Sequence, residues 1–145
     1  VVRWAQASAL MPMMQFSAAP WRVLDSTHLA LVHDVVRTRQ HFTPYLMELA
    51  RASARTGEPI VRSLEYAFPH RGYESVRDEF MLGDRVLVAP VLTKGATKRT
   101  VQIPPGRWRA WNDVSVSGPR TIEVSAPLGA LPYFEADLPA ARTRP

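Results

Sequence analysis

The chain has 145 residues, of which 46% are hydrophobic and 21% are charged, a composition that is typical of a globular domain and argues against wholesale disorder. It contains no cysteine, which excludes disulfides, thiolate catalysis and cysteine-ligated metal sites and leaves the cellular compartment open. The formal net charge is +5, but the basic residues are scattered from Arg3 to Arg144. A solvated arginine-rich surface is therefore favoured over a nucleic-acid-binding face. No apolar run reaches the ~20 residues that a membrane-spanning helix needs.

The N-terminal part predicts a helix, a short strand, a loop and a long helix. Apolar and small residues over Val2–Leu10 predict the first helix, which Pro12 should end. The short apolar run Met11–Phe16 lies between prolines, which favours a buried strand over a buried helix.

The long helix has clear start and stop signals. Asp25-Ser26-Thr27 is a cluster of N-cap residue types. Gly57 suits a left-handed C-cap, and Pro59 prevents the helix from continuing. Pro44 should kink this helix or split it in two. Apolar residues recur between the caps at helical spacing: Leu29, Val32, Val36, Phe42, Leu46 and Leu49.

After Gly57 the sequence changes to short β-branched and alternating runs separated by Gly and Pro. Such runs predict an antiparallel β-sandwich. The change predicts two units, 1–57 and 58–145, and an α+β fold class. The candidate strands are 60–66, 85–91, 100–103, 107–111, 121–124 and 131–135.

The residues alone predict no catalytic group, metal site or cofactor site. There is no glycine-rich phosphate loop, no H-E-x-x-H pair and no G-x-S-x-G elbow. The acidic residues lie mostly among polar neighbours, as in Asp78-Glu79, and nothing marks the pair of carboxylates that glycoside hydrolysis needs.

Trp4, Phe16 and Trp21 cluster around the predicted strand and the loop after it. Together with Gln15 and Ser17 they could line a sugar pocket, because sugars stack on indole rings and hydrogen-bond to amides and hydroxyls. The alternative is aromatic core packing, which the residues alone favour.

Short motifs in a fixed order cover nearly the whole chain. The most specific is DEFMLGD at 78–84 followed by LVAPV at 87–91. The others are RWAQ at 3–6, ALMPMM at 9–14, TPYL at 43–46, RTGEPIVR at 55–62, IPPGRW at 103–108 and LPYF at 131–134. This ordered set resembles the C-terminal part of glycoside hydrolase family 31, which includes α-glucosidases, α-xylosidases and α-galactosidases.

The resemblance implies the C-terminal end of a (β/α)8 barrel over 1–57, followed by an antiparallel β-sandwich over 58–145. It also implies a retaining α-glycosidase acting on α-glucoside- or α-galactoside-type carbohydrates, without a cofactor. The family's two catalytic aspartates lie upstream of the segment that this chain resembles. We therefore expect the chain to be part of a longer protein and to hold no catalytic residue. The sequence leaves the oligomeric state and the particular sugar open.

One departure from the family pattern falls at the end of the last barrel strand. Many members carry Pro-x-Met-Arg-x-His there, and this chain has Gln15 and Ser17 in place of the Arg and the His. The resemblance thus implies sugar contacts that differ from those of a plain α-glucosidase and are closer to the α-galactosidase-type branch. We predict Gln15, Ser17 and Trp21 as substrate-binding residues.

Two other functions remain open at this point. The chain could be a non-catalytic carbohydrate-binding or scaffolding β-domain with a helical extension. It could also be an arginine-rich nucleic-acid binder, which would lose affinity steeply with salt.

Overall fold

The structure is a computed structural model that describes residues 1–137. Residues 138–145, the end of the predicted unit 58–145, lie outside the described residues. The elements in chain order are α1 (Val2–Ala9), α2 (Pro20–Val23), α3 (Ser26–Thr56), β1 (Val61–Arg62), α4 (Leu64–Ala67), β2 (Phe80–Leu82), β3 (Val86–Val88), β4 (Lys98–Ala110), β5 (Ser115–Ser125) and β6 (Tyr133–Ala136). The mixture of helix and antiparallel sheet that the sequence predicted is confirmed.

The caps predicted for the long helix are confirmed. The Asp25 carboxylate accepts a hydrogen bond from the backbone N–H of His28 at 2.9 Å, and this bond lowers the pKa of Asp25. At the other end Gly57 adopts φ 78°, where a side chain would be strained, and its N–H donates to the carbonyl of Ser53.

Of the two outcomes predicted for Pro44, a kink or a split, the split does not occur, because α3 runs without a break from Ser26 to Thr56. Pro44 and Gln40 are both exposed, so water can take the carbonyl of Gln40 that the missing N–H leaves free. No helix among residues 1–137 combines the length and the apolar character that crossing a membrane requires.

The segment Met11–Phe16 is not the strand that its apolar run predicted. Its backbone is irregular between α1 and α2. A strand needs a neighbour to accept and donate its ladder hydrogen bonds. All six strands of the described sheet belong to residues 61–136, and none pairs with this segment.

The strands form one antiparallel sheet in the order β1-β2-β3-β6-β4-β5. Two predicted strands, 100–103 and 107–111, are one bent strand, β4. The predicted turn at Pro105-Gly106 is instead an irregularity in β4, where the register with β5 shifts between Ile103 and Gly106. The predicted strand 60–66 shortens to β1, because Ser63 caps the short helix α4 by accepting from the N–H of Tyr66.

Within residues 1–137 the strands predicted as a sandwich form one six-stranded sheet with a core on each face. Successive residues of β2 and β3 point to opposite faces, as strand geometry requires. On one face Phe80, Leu82, Val86 and Val88 pack against α1 and α3. On the other face Met81 and Leu87 lie in a second core, which is closed by the bent strand β4 and by β6 through Val101, Ile103, Trp108 and Phe134.

Candidate functional site

The predicted sugar-binding residues lie on or just after the connection between α1 and α2, which we call the 11–19 segment. Met14 and Phe16 are half-buried and pack against the core beneath α1 and α3. Gln15 and Ser17 are exposed. The alternation expected of a strand is therefore present in these four side chains, although the backbone pairs with no strand among residues 1–137.

Two contacts hold the 11–19 segment in place. At its start, the Arg39 guanidinium on α3 donates hydrogen bonds to the carbonyl oxygens of Ala9 at 2.8 Å, Met11 at 2.7 Å and Pro12 at 3.0 Å. Further along, the Phe16 ring meets the Trp4 indole of α1 edge to face, with ring centroids 5.8 Å apart. The segment is thus attached to α3 through Arg39 and to α1 through Trp4.

Gln15 and Ser17 are both exposed on the segment, and Trp21 lies on α2. Ser17 does not cap α2, because the N-cap residue of that helix is Ala19 and has no side-chain cap bond. Trp21 is 70% exposed and Trp4 is half-exposed, whereas Phe16 packs against the core, so among residues 1–137 the core-packing interpretation fits Phe16. The substrate-binding role of Gln15, Ser17 and Trp21 stays a prediction.

Large apolar side chains are exposed in the same N-terminal part of the chain. Met13 on the segment is 78% exposed, and Trp4, Trp21 and Val23 each expose more than half of their surface. Exposed apolar side chains that adjoin one another mark a surface that another part of a protein, a partner or a ligand covers.

Sequence reasoning missed one buried carboxylate. Glu79 was grouped with polar neighbours, but its side chain is only 2% exposed. Burial raises the pKa of the Glu79 carboxyl to about 7, against the opposing effects of the Gln102 N–H at 2.9 Å and the Arg99 guanidinium at 3.2 Å. The sequence signal that could have indicated the burial of Glu79 is the fully apolar run Phe80–Leu82, which follows Glu79 directly and forms a buried strand.

The Glu79 site is a structural ion pair rather than the two-carboxylate cleft of a glycosidase. Arg99, itself 8% exposed, also donates to the carbonyl oxygens of Asp78 and Pro90 and to the Asp78 carboxylate. These bonds attach the first half of β4 to the segments on either side of β2 and β3. The second carboxylate, Asp78, is half-exposed and contacts the same guanidinium, so no water-filled gap separates an acid from a nucleophile.

A cleft of about 480 Å3 lies between α3 and the sheet, away from the 11–19 segment. Within this cleft Arg85 pairs with Glu48 at 2.8 Å and stacks over the Tyr45 ring at 4.0 Å. Within residues 1–137, no group of three or more His, Asp or Glu side chains is arranged to hold a metal ion.

Comparison with known proteins links this chain to glycosidases. The model of the Glycosyl hydrolase family 31 C-terminal domain matches residues 57–136. The myogenesis-regulating glycosidase of Mus musculus is 40% identical over 116 residues, which cover 76% of this chain. Alpha-glucosidase 2 of Bacillus thermoamyloliquefaciens is 29% identical over 143 residues, which cover 92% of this chain. The alignments span 16% and 18% of these two proteins, respectively.

Solved structures extend the likeness to the helices. The crystal structure of a GH31 α-xylosidase from a soil metagenome, complexed with xylose, matches with a TM-score of 0.84 at 26% identity. The match covers 96% of this chain and 25% of that chain. Since the family model covers more than half of the sequence, and the structural match reaches well beyond the residues in that model, the chain belongs to glycosyl hydrolase family 31.

Proposed function

We propose that this chain is the C-terminal part of a retaining α-glycosidase that hydrolyses O-glycosidic bonds of α-glucoside- or α-galactoside-type carbohydrates. In this proposal residues 1–57 complete a (β/α)8 barrel and residues 58–145 form its β-sandwich domain. The catalytic aspartates belong to barrel strands upstream of Val1. The proposal is supported by family membership and by the similarity to α-glucosidases and to an α-xylosidase that binds xylose.

The observation that carries the proposal is that the 11–19 segment pairs with no described strand and has exposed apolar side chains around it. Part of it alternates half-buried and exposed side chains like a strand, but the described residues offer it no strand neighbour, and apolar side chains around it are exposed. A barrel strand pairs on both edges, so the missing neighbours are those that the rest of a (β/α)8 barrel would supply. Met13 and Trp4 would then contact the upstream barrel rather than water.

The chain's own part in the reaction is to bind and orient the sugar. Active sites of such barrels lie at the carboxyl ends of the strands, which is where Gln15 and Ser17 would stand. The Gln15 amide can donate to and accept from sugar hydroxyls, and the Ser17 hydroxyl can do both as well. Trp21 would supply an indole face against which the apolar side of the ring stacks. The two carboxylates that cleave the bond, ~5 Å apart in a retaining enzyme, come from upstream.

The first test concerns activity. We expect the isolated 145-residue chain to hydrolyse neither nitrophenyl α-glucoside nor nitrophenyl α-galactoside above the buffer rate, because it lacks the carboxylate pair. The longer protein that carries it should hydrolyse at least one of them with retention at the anomeric carbon, which NMR of the first-formed product detects.

Two results would contradict this assignment. Turnover by the isolated chain that persists after repurification would place the chemistry within these residues. Sugar binding by the longer protein without hydrolysis would favour the alternative, a carbohydrate-binding or scaffolding β-domain.

A second test addresses the pocket residues. In the longer protein, Ser17→Ala should change the ratio of kcat/KM between two epimeric α-glycosides, since a lost hydroxyl partner leaves a substrate hydroxyl unpaired at a cost of ~1–3 kcal/mol. Ser115→Ala, at an exposed position on β5, is the matched control and should leave the ratio unchanged. An equal loss for both epimers, or no change in a folded variant, would remove Ser17 from the sugar site.

A further inference from the structure

We propose that Arg39 is a positioning residue that fixes the 11–19 segment and thereby sets the sugar selection of the proposed site. This inference rests on the proposed function. Arg39 lies on α3 and touches none of the predicted substrate-binding side chains; it acts through the backbone that carries them.

The geometry of Arg39 is specific to a guanidinium. One terminal nitrogen donates to the carbonyls of Ala9 and Met11, and the other donates to the carbonyl of Pro12. Arginine presents its donors in a rigid planar fork, whereas a lysine ammonium is a single point at the end of a flexible stem. Three carbonyls spread over four residues therefore require arginine here.

These carbonyls need an outside donor. Ala9 is the last residue of α1, and the final carbonyls of a helix have no intrahelical partner. Met11 and Pro12 follow directly in a backbone that pairs with no described strand. A cation at this end of α1 is also favoured by the helix dipole. Arg39 thus stabilises the exit of the chain from α1 and determines the direction in which the segment leaves the helix.

The predicted sugar contacts depend on that direction because the stretch from Pro12 to Phe16, which carries Gln15, is held at both ends. Arg39 holds the backbone at Pro12, and the contact with Trp4 holds it at Phe16. Between these anchors Met14 is half-buried and Gln15 is exposed. Slippage by one residue would turn Gln15 and Ser17 inward and the apolar side chains outward, as it does in any extended chain.

The test compares Arg39→Gln and Arg39→Lys with the matched control Arg37→Gln. Arg37 lies on the same helix, is exposed, and contacts the exposed Asp34 rather than the segment. The structural readout, measured on the 145-residue chain, is the nuclear Overhauser effect between the ring protons of Phe16 and the Trp4 indole. The functional readout is the ratio of kcat/KM for two epimeric α-glycosides in the longer protein.

We expect Arg39→Gln to lose the Phe16–Trp4 contact and to shift the selectivity ratio about tenfold, since small displacements of substrate-positioning groups are costly. Arg39→Lys should recover only part of both, and Arg37→Gln should resemble wild type. Far-ultraviolet circular dichroism on each variant establishes that α1 and α3 are intact.

An unchanged Phe16–Trp4 contact in Arg39→Gln would overturn the positioning role while leaving the proposed function untouched. A lost contact with an unchanged selectivity ratio would overturn the link from Arg39 to the sugar. If the wild-type longer protein hydrolyses no α-glycoside, the proposed function fails and this inference falls with it. That outcome is visible before any Arg39 variant is made.

Discussion

Arg99→Met is expected to lower the free energy of unfolding of this chain by about 3–5 kcal/mol at pH 8, because it leaves the Glu79 carboxylate buried without its cation. Both side chains are almost fully excluded from water, at 8% and 2% exposure. Methionine keeps most of the length of the arginine side chain and removes the charge. The guanidinium also donates to the carbonyls of Asp78 and Pro90, and those bonds are lost as well. Urea denaturation followed by circular dichroism measures the change.

The matched control is Arg107→Met on the same strand. Arg107 is exposed, and its contact with Asp137 at 3.5 Å lies at the surface, so its loss should cost less than about 1 kcal/mol. Adding Glu79→Gln to Arg99→Met should restore part of the lost stability, because the amide carries no charge to desolvate. Equal effects of Arg99→Met and Arg107→Met would show that the buried pair does not stabilise the fold of β4 over β2.

The same carboxyl gives stability a pH dependence of known sign. Burial raises the pKa of Glu79 from 4.5 to about 7, so between these values the folded state holds a proton that the unfolded state has released. Stability is therefore greatest at the acidic end of this window and falls as the pH rises, by about 2 kcal/mol between pH 5 and pH 8. Glu79→Gln should flatten this dependence, and a wild-type chain as stable at pH 8 as at pH 5 would contradict the shift.

Local signals in the sequence predicted α1 and the long helix α3, but not the short helices α2 and α4. The Asp25 cap and the Gly57 cap depend on hydrogen bonds and dihedral angles within a few residues, so the residue types alone indicate them. The sequence left open whether Pro44 kinks or splits the helix, because the cost of a proline depends on whether the carbonyl one turn earlier is exposed, which is a property of the folded surface.

The burial of Glu79 and the single long strand β4 depend on contacts between distant parts of the chain, which the sequence did not reveal. The burial of Glu79 requires β4 to fold back over β2, and the Arg99 that accompanies it is far away in sequence. The union of two predicted strands into β4 likewise depends on β5 and β6, which pair with it on either side. The Pro105-Gly106 pair that is typical of a hairpin turn becomes an irregularity within a strand, because both halves of β4 have partners.

The sugar-binding role of Gln15, Ser17 and Trp21 stays a prediction. Met14 and Phe16 are half-buried and Gln15 and Ser17 are exposed, as alternation along an extended chain expects, although no described strand pairs with this segment. Arg39 was not predicted, since hydrogen bonds to three backbone carbonyls leave no side-chain signature in the sequence. The predicted strand is not formed because pairing needs a second segment, and no described residue pairs with Met11–Phe16.

Amide hydrogen exchange should distinguish the paired backbone of β3 from the unpaired backbone of Met11–Phe16. The amides of Val86–Val88 lie in β3, which is paired with β2 and β6 and is fully buried. The segment Met11–Phe16 has no ladder partner among residues 1–137. We expect the amides of the segment to exchange at least about 1,000-fold faster than those of β3, because β3 exchanges only through global unfolding while the segment is open to water locally.

The longer protein is the decisive control for this measurement. If residues 1–57 complete a barrel, neighbouring strands should pair with the segment, and its amides should then gain protection while those of β3 change little. Equal protection of the segment and β3 in the isolated chain would contradict the division at Gly57. A segment that stays unprotected in the longer protein would mean that Met11–Phe16 is not a barrel strand, and Gln15 and Ser17 would then lack the framework that points them toward a sugar.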